Sequence, residues 1–204
     1  METVLILDFG AQYSQLIARR VREQNVYCEV KPCSISPAEI EKIAPIGIIL
    51  SGGPQSVYES VSLRVDPALF ALGIPVLGIC YGCQLMAYSL GGTVAAATEA
   101  TAREYGKTLT EFDTHSAIFQ DLPASSVTWM SHGDYISRVP DGFTVTAKTA
   151  VCPTAAMACP EKRLYGVQFH PEVQHTVEGS EMLRRFLYTV CGCLLYTSDA
   201  ADDL

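Results

Sequence analysis

The sequence is short of basic residues, and this shortage limits what the protein can bind. Fourteen Lys and Arg stand against 22 Asp and Glu, which leaves a formal net charge of −8. Nucleic acid and anionic membranes are therefore not expected as partners. The sequence also lacks an apolar run long enough to span a membrane, and a strand-like run, not a signal peptide, follows residues 1–3. We predict a cytoplasmic protein.

The eight cysteines come without a secretion signal, so we expect reduced thiols and no disulfide framework. No second pair stands at zinc-site spacing near a histidine, and we predict no metal site. Cys80 and Cys83 have the C-x-x-C spacing of thioredoxin-like pairs, which leaves a redox function as one alternative. A second alternative is that these thiols are ordinary buried core residues.

Strand-like and helix-like segments alternate along the first half of the chain. Apolar runs predict strands at residues 4–8, 26–30, 46–50 and 74–79, with helices at 16–24, from 36, from 66 and at 84–90. Such strands are typical of a parallel sheet covered on both faces. The second half predicts strands at residues 127–130, 143–147, 155–158 and 164–169 and a last helix at 178–190. We expect one mixed α/β domain.

The chain ends in a segment that fits neither the helix pattern nor a linker. We take residues 1–193 as the domain and interpret 194–204 as a non-native tail on a truncated gene fragment.

The sharp turn predicted at Cys80 is the most informative feature of the sequence. Gly78 and Gly82 flank it at two residues on each side, between an apolar strand and a helix. This is the layout of a nucleophile elbow, in which Cβ atoms at the glycine positions would clash with neighbouring elements. The helix N-terminus favours a thiolate, so Cys80 is a candidate nucleophile.

Three other segments end predicted strands with groups that Cys80 could use. His170 ends one predicted strand, and Glu172 follows two residues later. This spacing places both side chains on one face of an extended chain. The carboxylate could therefore orient the imidazole so that it acts as a base. His132, in Ser-His-Gly-Asp, is a rival base. Gly52 and Gly53 offer backbone N–H groups for an oxyanion, although a plain tight turn explains them equally well.

These residues resemble the class I (triad) glutamine amidotransferases. The resemblance rests on Gly-Ile-Cys-Tyr-Gly at 78–82 with Gln84 and on Phe-His-Pro-Glu at 169–172, and it covers about residues 1–193. Residues 8–20, 50–54, 129–134 and 165–173 make the chain most similar to the glutaminase domains of the GMP synthases within that family. The implied fold is a flavodoxin-like three-layer α/β/α sandwich with a mixed, largely parallel sheet.

The resemblance also implies roles for individual residues. Cys80 would be the nucleophile, His170 the general base and acid, and Glu172 the carboxylate that orients it. The backbone N–H groups of Gly53 and Tyr81 would form the oxyanion hole. The amino-acid end of glutamine would be held by a further set, comprising Gln84, Ser131, His132 and Gly133. Cys83 stands where the family commonly has Met.

The implied activity is hydrolysis of L-glutamine to glutamate and ammonia, without a cofactor in this domain. An ATP-pyrophosphatase synthetase domain or subunit would bind ATP, Mg²⁺ and XMP and would aminate XMP to GMP in purine biosynthesis. A homodimer could form through that part. No Ser-Gly-Gly-x-Asp-Ser loop of such a domain is present in the sequence. Alternatives are the glutaminase domain of an anthranilate or carbamoyl-phosphate synthase type, a non-glutaminase cysteine hydrolase of the same fold, and a non-enzymatic regulatory domain.

Overall fold

The computed structural model describes residues 2–97 and 103–194. The described part contains the following strands and α-helices: β1 Thr3–Asp8, α1 Ser14–Glu23, β2 Tyr27–Pro32, α2 Pro37–Ile43, β3 Gly47–Leu50, β4 Val76–Ile79, α3 Tyr81–Ser89, β5 Thr93–Ala96, β6 Glu104–Phe112, β7 Ser125–His132, β8 Asp134–Arg138, β9 Thr144–Lys148, β10 Ala156–Cys159, β11 Leu164–Val167 and α4 Gly179–Arg185. Residues 195–204, most of the proposed non-native tail, lie outside the described residues, so that interpretation stays a prediction.

Nine of these strands form one mixed sheet in the order β2-β1-β3-β4-β11-β10-β9-β6-β7. The pairs from β2 to β11 are parallel, and those from β11 to β7 are antiparallel. The strands β5 and β8 form a separate antiparallel pair. Because the carboxyl ends of parallel strands meet at one edge, the groups that follow β3, β4 and β11 are brought together there.

Helices cover the sheet on both faces. Alternate residues of β1 show this, since Val4 and Ile6 pack into the apolar cluster that contains α1 and α4 residues, whereas Leu5 and Leu7 pack into the cluster with residues of α2 and α3. All four are fully buried, as expected for a strand between two helical layers. The predicted three-layer α/β/α arrangement is therefore confirmed.

The first-half elements follow from local signals in the sequence. For example, α2 begins with a capping box in which Ser36 accepts a hydrogen bond from the Glu39 N–H and the Glu39 carboxylate accepts one from the Ser36 N–H. Pro37 then occupies the first helical turn, where no N–H is needed. The helix expected from residue 66 is a 3₁₀-helix at Pro67–Ala71, and the last helix continues beyond α4 as a π-helix at Phe186–Val190.

Three strands, β5, β6 and β8, were not predicted. In β6 the inward-facing positions include Glu104 and Thr110, both buried, so the strand lacks the alternation of apolar residues that signals a half-buried strand. Thr110 is satisfied there by a hydrogen bond of 2.7 Å to the hydroxyl of Thr128 on β7. Within the described ranges, no helix combines the length and the apolar character that crossing a membrane requires.

Candidate active site

Cys80 lies at the turn between β4 and α3 in a backbone conformation that side chains other than glycine rarely adopt, with φ 52° and ψ −107°. The flanking glycines have no space for a side chain. A Cβ at Gly82 would stand 2.5 Å from the Leu50 carbonyl oxygen on β3, and one at Gly78 would stand 2.6 Å from the Gly82 carbonyl oxygen. The elbow predicted from the sequence is present, and its sulfur is held at the carboxyl edge of the sheet.

Substituting Gly82 by alanine should destabilise the protein by about 2–4 kcal/mol, because the new Cβ meets backbone atoms of β3 that cannot rotate away. Urea unfolding measures this loss. Gly73→Ala is a control for a glycine with open space around it, although its positive φ of 73° makes it mildly destabilising as well. Equal losses for the two variants would contradict the packing argument.

His170 and Glu172 lie beside Cys80. His170 Nδ1 is 2.7 Å from Glu172 Oε1, and both residues are buried. The His170 ring and the Cys80 side chain both lie next to Gly52. A Cβ atom added to Gly52 would stand 3.3 Å from His170 Cε1 and 3.8 Å from Cys80 Cβ. The three residues predicted as nucleophile, base and orienting carboxylate are therefore neighbours in the fold.

The pKa of His170 reflects this environment. Burial by itself lowers it, but the hydrogen bonds and charges of Cys80 and Glu172 outweigh burial, and the net effect raises the His170 pKa well above its ordinary value of 6.5. A protonated imidazole beside a cysteine sulfur is an environment that favours a reactive thiolate.

The backbone around this pair is held by hydrogen bonds with residues, most of them distant in the sequence, for which the sequence predicted no role. Thr176 donates from its hydroxyl to the His170 carbonyl oxygen at 2.6 Å, and Arg20 Nε donates to the Glu172 carbonyl oxygen at 2.9 Å. The His170 N–H in turn donates to the carbonyl oxygen of Trp129 at 3.0 Å. These contacts join segments up to 152 positions apart, so no local sequence signal points to them.

A cavity of about 390 Å³ opens in front of Cys80, within the size range of small-molecule sites. It is lined by the predicted oxyanion-hole residues Gly53 and Tyr81. Tyr81 is the first residue of α3, where backbone N–H groups have no acceptor within the helix. The predicted glutamine-binding residues, which are Gln84, Ser131, His132 and Gly133, line the same cavity.

The side chain of His132 is turned toward other partners than Cys80. Its Nδ1 lies 2.9 Å from the Asp134 carbonyl oxygen and must donate to it, and its Nε2 lies 3.4 Å from Glu104 Oε2. Both ring nitrogens thus face groups other than the Cys80 sulfur, which favours His170 over His132 as the base. Donor atoms of Glu104, His132 and Cys152 lie within 4.8 Å of one another, a grouping that the spacing in the sequence did not reveal.

Cys83 is fully buried on α3, and burial raises its pKa well above the ordinary value for a thiol. Its sulfur packs against β11, where a Cβ on Gly166 would stand 2.5 Å away from it. Cys80 and Cys83 are both free cysteines. Because a redox pair needs an accessible, low-pKa thiol, these observations speak against the thioredoxin-like alternative.

Comparisons with known proteins agree with this geometry. The family model described as glutamine amidotransferase class-I matches residues 5–190. The chain is 55% identical over 192 residues to a GMP synthase [glutamine-hydrolyzing] of Clostridium botulinum strain Alaska E43, and 56% identical over 192 residues to one of Alkaliphilus metalliredigens. Each alignment covers 94% of this chain and 37% of the relative, so the chain spans little more than a third of the length of these proteins.

Solved structures give the same result. A putative GMP synthase subunit from Thermoplasma acidophilum superposes with a TM-score of 0.81 at 30% identity, covering 94% of both chains. A glutamine amidotransferase of Thermotoga maritima superposes with a TM-score of 0.77 over 94% of this chain and 99% of its own, and at 19% identity it supports the fold alone.

Proposed function

The chain belongs to the class-I glutamine amidotransferase family, and from this premise we propose that it hydrolyses L-glutamine to glutamate and ammonia with Cys80 as nucleophile. The observation that carries the proposal is the buried His170–Glu172 pair, 2.7 Å apart, beside a cysteine held on a strained elbow at the wall of a cavity. A base oriented by a carboxylate next to a nucleophile is the arrangement that acyl transfer requires.

In the first half-reaction, the Cys80 thiolate attacks the side-chain amide carbon of glutamine. The negative charge that develops on the amide oxygen is stabilised by the backbone N–H groups of Gly53 and Tyr81, each worth about 3–4 kcal/mol when well placed. The His170 imidazolium gives its proton to the amide nitrogen, and the carbon–nitrogen bond breaks to release ammonia. A thioester on Cys80 remains.

In the second half-reaction, neutral His170 takes a proton from water while the water oxygen attacks the thioester carbon. The carbon–sulfur bond then breaks, which releases glutamate and restores the thiolate and the imidazolium. Glu172 accepts a hydrogen bond from His170 Nδ1 throughout, which keeps the other ring nitrogen directed at the reacting atoms.

We further propose that the ammonia is used to aminate XMP to GMP, in a synthetase part that binds ATP and Mg²⁺. Support comes from the curated relatives, which are named GMP synthase [glutamine-hydrolyzing] and extend well beyond the matched region. Support also comes from the relative of similar length in Thermoplasma acidophilum, which is named as a GMP synthase subunit. The synthetase part could therefore be either fused or a separate subunit.

Covalent labelling tests the glutaminase proposal without a partner protein. A diazoketone analogue of glutamine should alkylate Cys80, excess glutamine should protect it, and peptide mass spectrometry should find the adduct at Cys80 and not at Cys83. Labelling at another residue, or labelling that glutamine does not slow, would contradict the proposal.

A reconstitution assay tests the synthetic role. The chain is mixed with the synthetase part of the Clostridium botulinum relative, XMP, ATP and Mg²⁺, and GMP is measured with glutamine or with ammonium chloride as nitrogen source. Ammonium shows that the synthetase part is active by itself. GMP formation with ammonium but not with glutamine would contradict the synthetic role and leave the glutaminase proposal standing.

A further inference from the structure

Gln168 lies beside Cys80 because of the register of two parallel strands. The pairing of β11 with β4 ends at Val167 and Ile79, and the next residues along the two strands are Gln168 and Cys80. The Cys80 N–H donates to the Val167 carbonyl oxygen at 2.8 Å, which fixes the two chains at this level. The Gln168 side-chain amide then donates from Nε2 to Cys80 Sγ at 3.6 Å.

The orientation of this amide is fixed by a second one. Gln84 Nε2 donates one hydrogen to Gln168 Oε1 at 3.0 Å and the other to the Asp134 carbonyl oxygen at 2.9 Å. Both hydrogens of Gln84 are thus used, and Gln168 must present its oxygen to Gln84 and its N–H to the sulfur. If the Gln168 amide were rotated by 180°, two N–H groups would face each other and an oxygen would face the sulfur.

Burial strengthens the hydrogen bond from Gln168 to the Cys80 sulfur. Gln168 is fully buried and Gln84 nearly so, and a hydrogen bond to a charged acceptor is stronger where water is excluded. Unlike His170, the Gln168 amide does not titrate, so it can donate to the sulfur in every state of the reaction.

We propose that Gln168 is a positioning residue that stabilises the Cys80 thiolate and aims it at the cavity, with Gln84 fixing the direction of its amide. This inference deepens the proposed glutaminase function and rests on Cys80 being the nucleophile. The same contact would make Cys80 a better leaving group when the thioester breaks. It also links the nucleophile to Asp134, which follows the predicted glutamine-binding residues.

The test measures how the ionisation of Cys80 depends on Gln168. Wild-type chain and the variants Gln168→Leu and Gln168→Glu are alkylated with iodoacetamide across a pH series, and the adduct at Cys80 is quantified by peptide fragmentation. Gln168→Leu should raise the pH midpoint of alkylation by about one unit, since it removes a hydrogen bond to a charged group. Gln168→Glu, which is nearly isosteric, should raise it at least as far because an oxygen replaces the donor.

Thr146→Val is the matched control, because Thr146 is buried in the same sheet and its hydroxyl has no hydrogen-bond partner among the described residues. Its midpoint should equal that of the wild type. An unchanged midpoint in a folded Gln168→Glu variant would overturn the proposal even if Gln168→Leu failed to fold. Alkylation does not require glutamine, so a chain that shows the shift but hydrolyses no glutamine would refute the proposed function and leave the role of Gln168 intact.

Discussion

Replacing Cys80 by alanine is expected to abolish glutamine hydrolysis, with a loss of at least about 10⁴-fold in kcat. The thioester cannot form without the sulfur, and no other group on the cavity wall can replace it at the elbow. The fold should survive, because the side chain removed is small and the backbone turn is set by Gly78 and Gly82. Release of ammonia from glutamine, measured with purified chain, checks this result.

Cys80→Gly separates catalysis from strain. It should be as inactive as Cys80→Ala, but its free energy of unfolding should be higher than that of Cys80→Ala, by about 1 kcal/mol or more, because glycine adopts the positive φ at this turn without a steric cost. The matched control is Cys159→Ala, a buried cysteine on β10, which should keep its activity. Activity of Cys80→Ala near the wild-type rate would remove Cys80 from the mechanism.

Replacing Glu172 by glutamine should lower kcat/KM by about 10²–10⁴-fold. The amide has nearly the shape of the carboxylate, so packing is retained, but it carries no charge to stabilise the imidazolium. The pKa of His170 should therefore fall. Because the imidazolium is needed to protonate ammonia, the alkaline limb of the pH–rate profile should move to lower pH.

Two further variants make the result specific to Glu172. Glu178→Gln changes an acidic residue at the N-terminal end of α4 and should leave kcat/KM unchanged. Glu172→Asp keeps the negative charge, but its shorter side chain lies farther from His170 Nδ1. Compared with Glu172→Gln, it should therefore bring the alkaline limb of the pH–rate profile closer to the wild-type position while recovering less of kcat/KM. A Glu172→Gln variant with a wild-type pH profile would show that the carboxylate does not control the protonation of His170.

Much of the fold could be predicted from the sequence because its signals are local. Apolar runs such as residues 4–8 mark buried parallel strands, and Ser36 with Glu39 marks a helix start. The elbow at Cys80 was recognisable because glycines at both flanking positions have a steric cause that the structure displays. The strands β5, β6 and β8 were missed because their inward faces are short or polar, and polar faces are satisfied only by partners elsewhere in the chain.

The sequence by itself determined which chemical groups are available to the site. They are a cysteine flanked by two glycines, a histidine followed two residues later by a carboxylate, and a glycine pair after a strand. Tertiary structure alone decided how they meet. Strand register placed Gln168 against Cys80. Packing of other elements turned both nitrogens of His132 away from the sulfur and brought Arg20 on α1 to Glu172 across 152 positions. Such contacts depend on which strands become neighbours, and neighbouring strands are chosen by packing of the whole chain, not by any local run of residues.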